Sequence, residues 1–534
     1  MSDEIPADGV GMKAGRREWL GLALLALPTL LISIDLYVML LALPHIANDL
    51  GASSTQQLWV VDIYGFLLAG FLVTMGSIGD RIGRRKLLLI GAVGFAAASV
   101  ITAYSDSTAL LIAARALCGL AGAAIAPSTM SLIRTMFRDP KEMGVAIGIW
   151  AMAFTGGAII GPLVGGLMLG TFWWGSVFLL GVPVMLALVI LGPKLLPEYR
   201  HENPGKLDLL SVGLSMAGIL PVIYGLKELA KHGWAVGPVL AVVIGVTFTV
   251  TFVVRQRRLT NPLLDMTLFA NKHFSAALGS MLFGTMLMGA IMLFVTQQFQ
   301  LVNGLSSLKA GLWMMPAVAA NMIGFAVSPI LGRTIRPAYL IGAGMCVSAI
   351  GLLMITQVST TGGPLLLSLG FAVIFLGAGP LVTLGVGLIM GSAPVEKAGN
   401  AAAVNETSGQ LGFALGIATL GSLVTLVYRN TVTTPAGVSG STVAGVNESL
   451  AGAVQAAANE PAALAQQVVA QAKDAFTNGL HVVAVVSAAL LVTVAVITAR
   501  LLRTVPPTGQ TEAGATEAAP AAGEETPGDA AEAA

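Results

Sequence analysis

Three acidic residues, Asp35, Asp62 and Glu406, lie inside apolar, helix-length stretches of a 534-residue chain, and Arg115 lies inside a fourth. A charge at the centre of a membrane helix costs roughly 2.5–3.5 kcal/mol on insertion scales, so intramembrane acids mark ion, proton or cation pathways. A carboxylate shielded from water holds either a proton or an organic cation, and that competition is enough for exchange. Asp35 and Arg115 are the candidate proton-coupling pair. Asp62 and Glu406 are candidates for binding positive charge. Cations favour aromatic faces, and methionine adapts to irregular apolar guests. Tyr37, Trp59, Tyr64, Trp313 and Met314 are the candidate pocket walls, with Gln297, Gln298, Asn321 and Asn405 as hydrogen-bonding groups.

These residues need a scaffold that lipid tolerates. The chain is 55% hydrophobic and 10% charged, with mean hydropathy +0.84. A soluble domain is nearer 25% charged, so the composition indicates an all-α polytopic membrane protein. A net charge of +1 gives no reason to expect a nucleic-acid partner. The five histidines show no ligand spacing, and Cys118 and Cys346 sit far apart in apolar sequence. No metal, cofactor or disulfide is expected, and no His, Cys or Ser constellation suggests an enzyme.

At about 20 apolar residues per crossing, fourteen spans emerge: 19–43, 57–78, 87–105, 109–133, 143–169, 174–192, 208–226, 236–254, 274–301, 309–331, 338–356, 363–390, 399–427 and 477–499. Most of the 28 lysines and arginines fall in alternate connecting segments. By the positive-inside rule those segments are cytoplasmic, and both termini with them. Helix rise then gives depth: Asp35 lies roughly 12 Å, Asp62 roughly 8 Å and Arg115 about 9 Å from the outer face, and Glu406 roughly 10 Å from the inner one.

An internal repeat organises the spans. Gly79-Asp80-Arg81-Ile82-Gly83-Arg84 and Gly332-Arg333-Thr334-Ile335-Arg336 each follow the second span of a six-span group. Duplicated halves with substrate bound between them are a known transporter plan. The expected organisation is a cytoplasmic segment 1–18, a six-helix half 19–192, an inserted two-helix linker 193–272, a second six-helix half 273–502 and, for want of apolar periodicity, a disordered cytoplasmic tail 503–534. Residues 429–476 face outside in this register. The plainer expectation there is a mobile loop, with 448–457 and 461–474 as candidate short helices over the external mouth.

Four motifs carry a family resemblance covering nearly all of residues 15–502. Gly76-Ser-Ile-Gly79-Asp80-Arg81-Ile-Gly83-Arg84-Arg85-Lys86 resembles the signature loop of the major facilitator superfamily. Leu111 to Gly119, with Arg115, resembles its span-four motif. Gly157, Gly161, Pro162, Gly165 and Gly166 resemble its antiporter motif in span five, and Asp35 to Pro44 resembles the span-one motif of its fourteen-span drug:proton antiporter branch. Trp59-Val-Val-Asp62-Ile-Tyr64 and Asn405-Glu406-Thr407-Ser408-Gly409-Gln410 resemble the subgroup exporting quaternary ammonium compounds, dyes and viologens. Where some members that handle divalent cations carry an acid in span ten, this chain has Ala319-Ala320-Asn321-Met322.

The resemblance implies a major facilitator fold and a monomer in the bacterial plasma membrane. It implies alternating-access exchange of lipophilic cations for protons, with the proton gradient as energy source, Asp80, Arg81, Arg84 and Arg85 as a conformational latch, and small-residue packing in span five. A dedicated exporter of one natural product or metabolite is the alternative within transport; a non-transporting sensor or scaffold is the alternative outside it.

Overall fold

The computed structural model describes residues 13–137, 139–198, 208–232, 235–259, 266–392 and 398–507, and among them the secondary structure is helical. Lipid offers no partner for backbone N–H and C=O groups, so a helix, which satisfies them internally, is the form such apolar sequence takes. In chain order the helices are α1 (Arg16–Leu50), α2 (Ser54–Ile82), α3 (Arg84–Ala103), α4 (Thr108–Met136), α5 (Pro140–Thr171), α6 (Ser176–Leu179) and α7 (Gly181–Leu195). Then come α8 (Leu209–His232), α9 (Val236–Gln256), α10 (Lys272–Gln297), α11 (Ser307–Gly332), α12 (Pro337–Ile355), α13 (Leu365–Gly391) and α14 (Ala398–Thr431). The last three are α15 (Gly440–Glu448), α16 (Leu450–Ala457) and α17 (Ala462–Leu501). Among the described residues, eleven helical segments are long and apolar enough to cross a bilayer, α6 and α7 counting as one; shorter apolar stretches lie in α5 and α8.

The turns are set by residues suited to them. Gly51 ends α1 at φ 61°, and Ser53 caps α2 by accepting from Gln56 N. Gly83 joins α2 to α3 at φ 108°, a conformation that other residues rarely adopt.

The repeat is visible in the packing. Within the first group α1 packs on α5 and α7, α2 on α4, and α3 on α4 and α7. Within the second, α10 packs on α14 and α17, α11 on α13, and α12 on α13 and α17. These are the same pairings with α1–α5 replaced by α10–α14 and α7 by α17. The groups meet through two equivalent seams, α2 on α14 and α5 on α11.

Glycine makes the seams and their supports close. A β-carbon added at Gly157 would lie 2.5 Å from Leu30 O, and one at Gly161 3.1 Å from Tyr37 Cβ, so the face 157–161–165 beds on α1. The next face of α5 meets α11: a β-carbon at Gly166 would lie 2.6 Å from Leu308 Cα, and one at Gly311 2.5 Å from Pro162 O. The five motif residues of span five thus serve two interfaces at once. Hydrogen bonds join the groups at the end of the bundle that carries the α1–α2 turn. Gln300 Nε2 donates to Leu41 O at 3.2 Å, and His45 Nε2 lies 2.9 Å from Ser307 Oγ.

Between the groups, α8 and α9 form a hairpin whose α8 packs on α2 and α14. Only 6% of the residues in the apolar window of α9 are fully buried, so the face of α9 turned away from α8 is left bare of protein. The hairpin is clamped where α8 begins. Arg255 Nη2 donates to Asp208 Oδ1 at 2.9 Å, Ser211 Oγ donates to Asp208 Oδ2, and Gln256 Nε2 donates to Ser211 Oγ at 2.6 Å.

One expectation changes. Residues 429–476 are not a simple mobile loop. α14 runs on to Thr431, α15 and α16 form a helical pair, and α17 starts at Ala462 rather than 477. The Ala- and Gln-rich sequence there has enough helix propensity to carry the helix beyond the apolar span. At 40 residues, α17 is roughly 60 Å long, about twice the hydrocarbon thickness. The expected disordered tail lies, from residue 508, outside the described residues.

Gly166→Val should lower the melting temperature in detergent by the equivalent of about 1–3 kcal/mol, the usual range for overpacking. Gly170→Val, with nothing within 4 Å of its β-carbon position, should leave it unchanged. Equal effects would show that the α5–α11 contact is not tight.

A second expectation concerns the clamp. Burial raises the Asp208 pKa, but hydrogen bonds from Arg255 and Ser211 outweigh it and hold the carboxyl below its ordinary range. Its stabilisation is therefore complete above the ordinary carboxylate range, about pH 4, and is lost as pH falls through the lowered value. The melting-temperature gap between wild type and Asp208→Asn should close over that acid window; a gap independent of pH would contradict the assignment.

Candidate functional site

Asp35 and Arg115 meet. The Arg115 guanidinium, 1% exposed, donates from Nη1 to Asp35 Oδ2 at 2.8 Å. Its flat face lies 4.5 Å from the Tyr64 ring centroid and 5.6 Å from that of Phe178. Four helices contribute: α1 supplies the acid, α4 the base, α2 and α6 the rings. The approach of α2 to α4 depends on Gly119, one turn beyond Arg115, where a β-carbon would lie 2.4 Å from Tyr64 O. Tyr64 therefore contacts the ion pair as well as lining a cavity.

Asp62 is 1% exposed and lines a cavity with Arg115, Tyr64, Met39, Gln410 and Phe413. The cavity lies on the α2–α14 seam, where a β-carbon at Gly65 would sit 3.2 Å from Ala414 Cβ. Gln410 Nε2 in turn donates to Glu406 Oε1 at 3.0 Å, one helical turn away. Depth alone puts Asp62 and Glu406 towards opposite faces; packing puts both along one seam, joined by Gln410.

A second cavity lies across α1. Tyr37, Pro162, Met292, Met314, Asn321 and Phe371 are among its walls, and Phe371 stacks edge-on against Phe375 at 4.6 Å. Apolar, aromatic and methionine walls with one amide suit a lipophilic guest. Trp59 instead packs beside Phe66, Ile223 and Ala418, where α8 meets the seam. Trp313 packs on the main core, its carbonyl accepting from Ser368 Oγ at 2.7 Å. Neither tryptophan lines either cavity. Among the hydrogen-bonding candidates, Gln298 pairs with Thr477 at 3.2 Å.

The loop between α2 and α3 is anchored by a residue that sequence reasoning missed. Arg85 Nη1 donates to Leu196 O at 2.9 Å, and Arg85 Nε lies 3.4 Å from Glu198 Oε2. Glu198 also accepts from Arg85 N at 3.1 Å, so close to Gly83 that a β-carbon there would lie 2.5 Å from Glu198 Oε1. Arg84 folds back over the loop's glycines, its Cδ 2.9 Å from a β-carbon at Gly79 and its Nη1 4.0 Å from one at Gly76. Arg81 lies half-buried in the last turn of α2; the Asp80 side chain is outside the described residues. An acid in an otherwise basic segment, one loop-length after span six, was the available signal for Glu198.

The Major Facilitator Superfamily pattern matches residues 25–417. The chain belongs to this superfamily. It is 41% identical over 481 residues to the multidrug efflux pump LfrA of Mycolicibacterium smegmatis, covering 90% of this chain and 95% of that protein. It is 32% identical over 468 residues to the methyl viologen resistance protein SmvA of Salmonella typhimurium, covering 86% of this chain and 93% of the relative. A solved bacterial homologue of the human lysosomal transporter Spinster, inward-facing and unoccupied, shares the fold with TM-score 0.66 at 15% identity, covering 92% of this chain and 98% of that one. The chain is thus a multi-pass major facilitator transporter related to multidrug efflux pumps, and not an enzyme.

Removing one partner of a buried ion pair typically costs about 3–5 kcal/mol, because the other charge is left buried alone. Asp35→Asn and Arg115→Gln should each lower thermal stability on that scale, and the double variant should lose clearly less than the sum. Strict additivity in that double-mutant cycle would show that the pair is not energetically coupled.

Proposed function

We propose that this chain is a proton-coupled efflux antiporter that exports lipophilic, mainly cationic compounds by alternating access. Quaternary ammonium compounds, dyes, viologens and antiseptics form the substrate class. The observation that carries the reading is the shared cavity: Asp62 lines it together with Arg115, which also holds Asp35. A proton arriving at Asp35 weakens its hold on Arg115; a cation arriving at Asp62 meets the same guanidinium as a repelling charge. Occupancy of one acid therefore bears on the other, which is the minimum requirement for exchange.

In this reading the protein sits in a bacterial plasma membrane with fourteen spans, both termini cytoplasmic, in two six-helix halves with α8 and α9 inserted between them. The α1–α2 end is external, and the bonds of Gln300 and His45 hold it closed. Asp35 and Arg115 couple the proton; Asp62 and Glu406 receive cationic charge. Tyr37 and Met314 wall the apolar guest, with Asn321 as its polar contact. The Gly76–Lys86 loop, docked by Arg85 on Leu196 and Glu198, latches the cytoplasmic side. The relation to a multidrug pump and a methyl viologen resistance protein supports this substrate class. Each elementary charge moved through 100 mV contributes about 2.3 kcal/mol, so one or two protons sustain a steep drug gradient.

Ethidium uptake into inverted vesicles, driven by an imposed proton gradient, tests the reading. Wild type should accumulate the dye and lose it when the gradient collapses. Asp35→Asn should be at least tenfold slower for every substrate, and Asp62→Asn should fail with cations while sparing neutral compounds. A correctly folded wild type that moves no cationic dye would refute the multidrug reading and favour a dedicated single-compound exporter. Relatives named for one compound, such as the tetracenomycin C resistance and export protein of Streptomyces glaucescens, 31% identical over 415 residues, support that second reading.

A further inference from the structure

Beyond the central acids, the segment between α14 and α17 carries a carboxylate of its own. α15 and α16 pack face to face, a β-carbon at Gly445 lying only 3.0 Å from Gly452 O. Glu448 ends α15 and Ser449 caps α16, accepting from Gly452 N at 3.0 Å. The pair is fastened over the α1–α2 end. Ser54 Oγ donates to Glu448 O at 2.8 Å, Gln455 Nε2 to Asn48 O at 3.1 Å, and Tyr428 OH to Val446 O at 2.9 Å.

Beneath this cover lies a cavity bounded by both groups of helices. Gln57, Phe294, Gln297, Tyr428 and Phe476 help to line it, and among the described residues Glu448 is the one charged side chain on that lining. Glu448 Oε1 is buried, and among the described residues nothing donates a hydrogen bond to it. A shielded carboxylate oxygen without a donor is expensive to maintain. Three aromatic residues and two amides share the lining with it, a composition suited to a cation that is itself poor at donating hydrogen bonds.

We propose that this cavity is a second cation-binding site, on the exit side, for the head of a quaternary ammonium compound, with Glu448 supplying the charge. A quaternary head brings positive charge without N–H groups, so it neutralises Oε1 without needing hydrogen-bond geometry. The site lies between the α1–α2 end and its cover, so an outgoing substrate meets it after the central cavities. The inference rests on the proposed export of lipophilic cations.

Equilibrium binding of phenyltrimethylammonium to the full-length purified protein tests it, with wild type, Asp62→Asn, Glu448→Gln and the double variant compared. Asp62→Asn should retain one weaker binding event, and Glu448→Gln should retain one tighter event and lose the weaker one, by tenfold or more in affinity. The double variant should bind neither. Thr425→Trp, which fills the cavity from α14 and leaves Glu448 in place, should also abolish the weaker event and so guards against misfolding around residue 448. If Glu448→Gln and Thr425→Trp both leave two events intact, the second site does not exist. If Asp62→Asn alone abolishes all binding, the second site fails while the export reading stands. If wild type binds no cation at all, the export reading itself fails.

Discussion

The buried contact between Asp35 and Arg115 is the constraint around which the first helical group is arranged. A guanidinium that is 1% exposed in a membrane protein survives only where its charge is matched and its faces covered. Here α1 supplies the charge and Tyr64 and Phe178 supply the cover. That requirement fixes the rotation of α1, α2 and α4 about their own axes. Once these are fixed, Asp62 faces the same cavity as Arg115, and Tyr37, two residues along α1 from Asp35, faces the other cavity.

α1 is therefore a shared wall. Leu36 and Met39 line the acidic cavity and Tyr37 lines the apolar one. The same helix beds on the glycine face of α5 and bonds to Gln300 through Leu41 O. The ion pair, both cavities and the hydrogen bond at the α1–α2 end thus bear on a single helix. This economy requires small residues at the contacts, because α1 has to touch so many neighbours within the width of one helix.

Much of this was legible in the sequence. Charges in apolar stretches announced the buried Asp35–Arg115 pair and Asp62, and the repeated Gly/Arg loop falls at matching places in two groups of helices that pair alike. What stayed hidden depended on rotation about helix axes. Depth along a helix follows from residue number, but facing does not, so Trp59 and Trp313 read as pocket walls and instead pack beside α8 and in the core. Gln410 was quoted within a motif without a role, since its link between Asp62's cavity and Glu406 exists only once α14 lies on α2. Glu198 was obscured by the basic residues around it. The helical character of residues 440–457 was half-visible, because propensity without a long apolar stripe favours a helix only where something packs against it.

The glycine seams have a mechanical consequence. Leucine or phenylalanine surfaces interlock, and shifting one past another requires side chains to change rotamer together. Gly166 and Gly311 present bare backbone to α11 and α5, and Gly65 meets the methyl of Ala414 and the carbonyl of Gln410. These contact points have no rotamers to reorder and almost no side-chain entropy to lose. At those points the two helical groups meet backbone to backbone, with no interlocked side chain to resist a small rotation of one on the other.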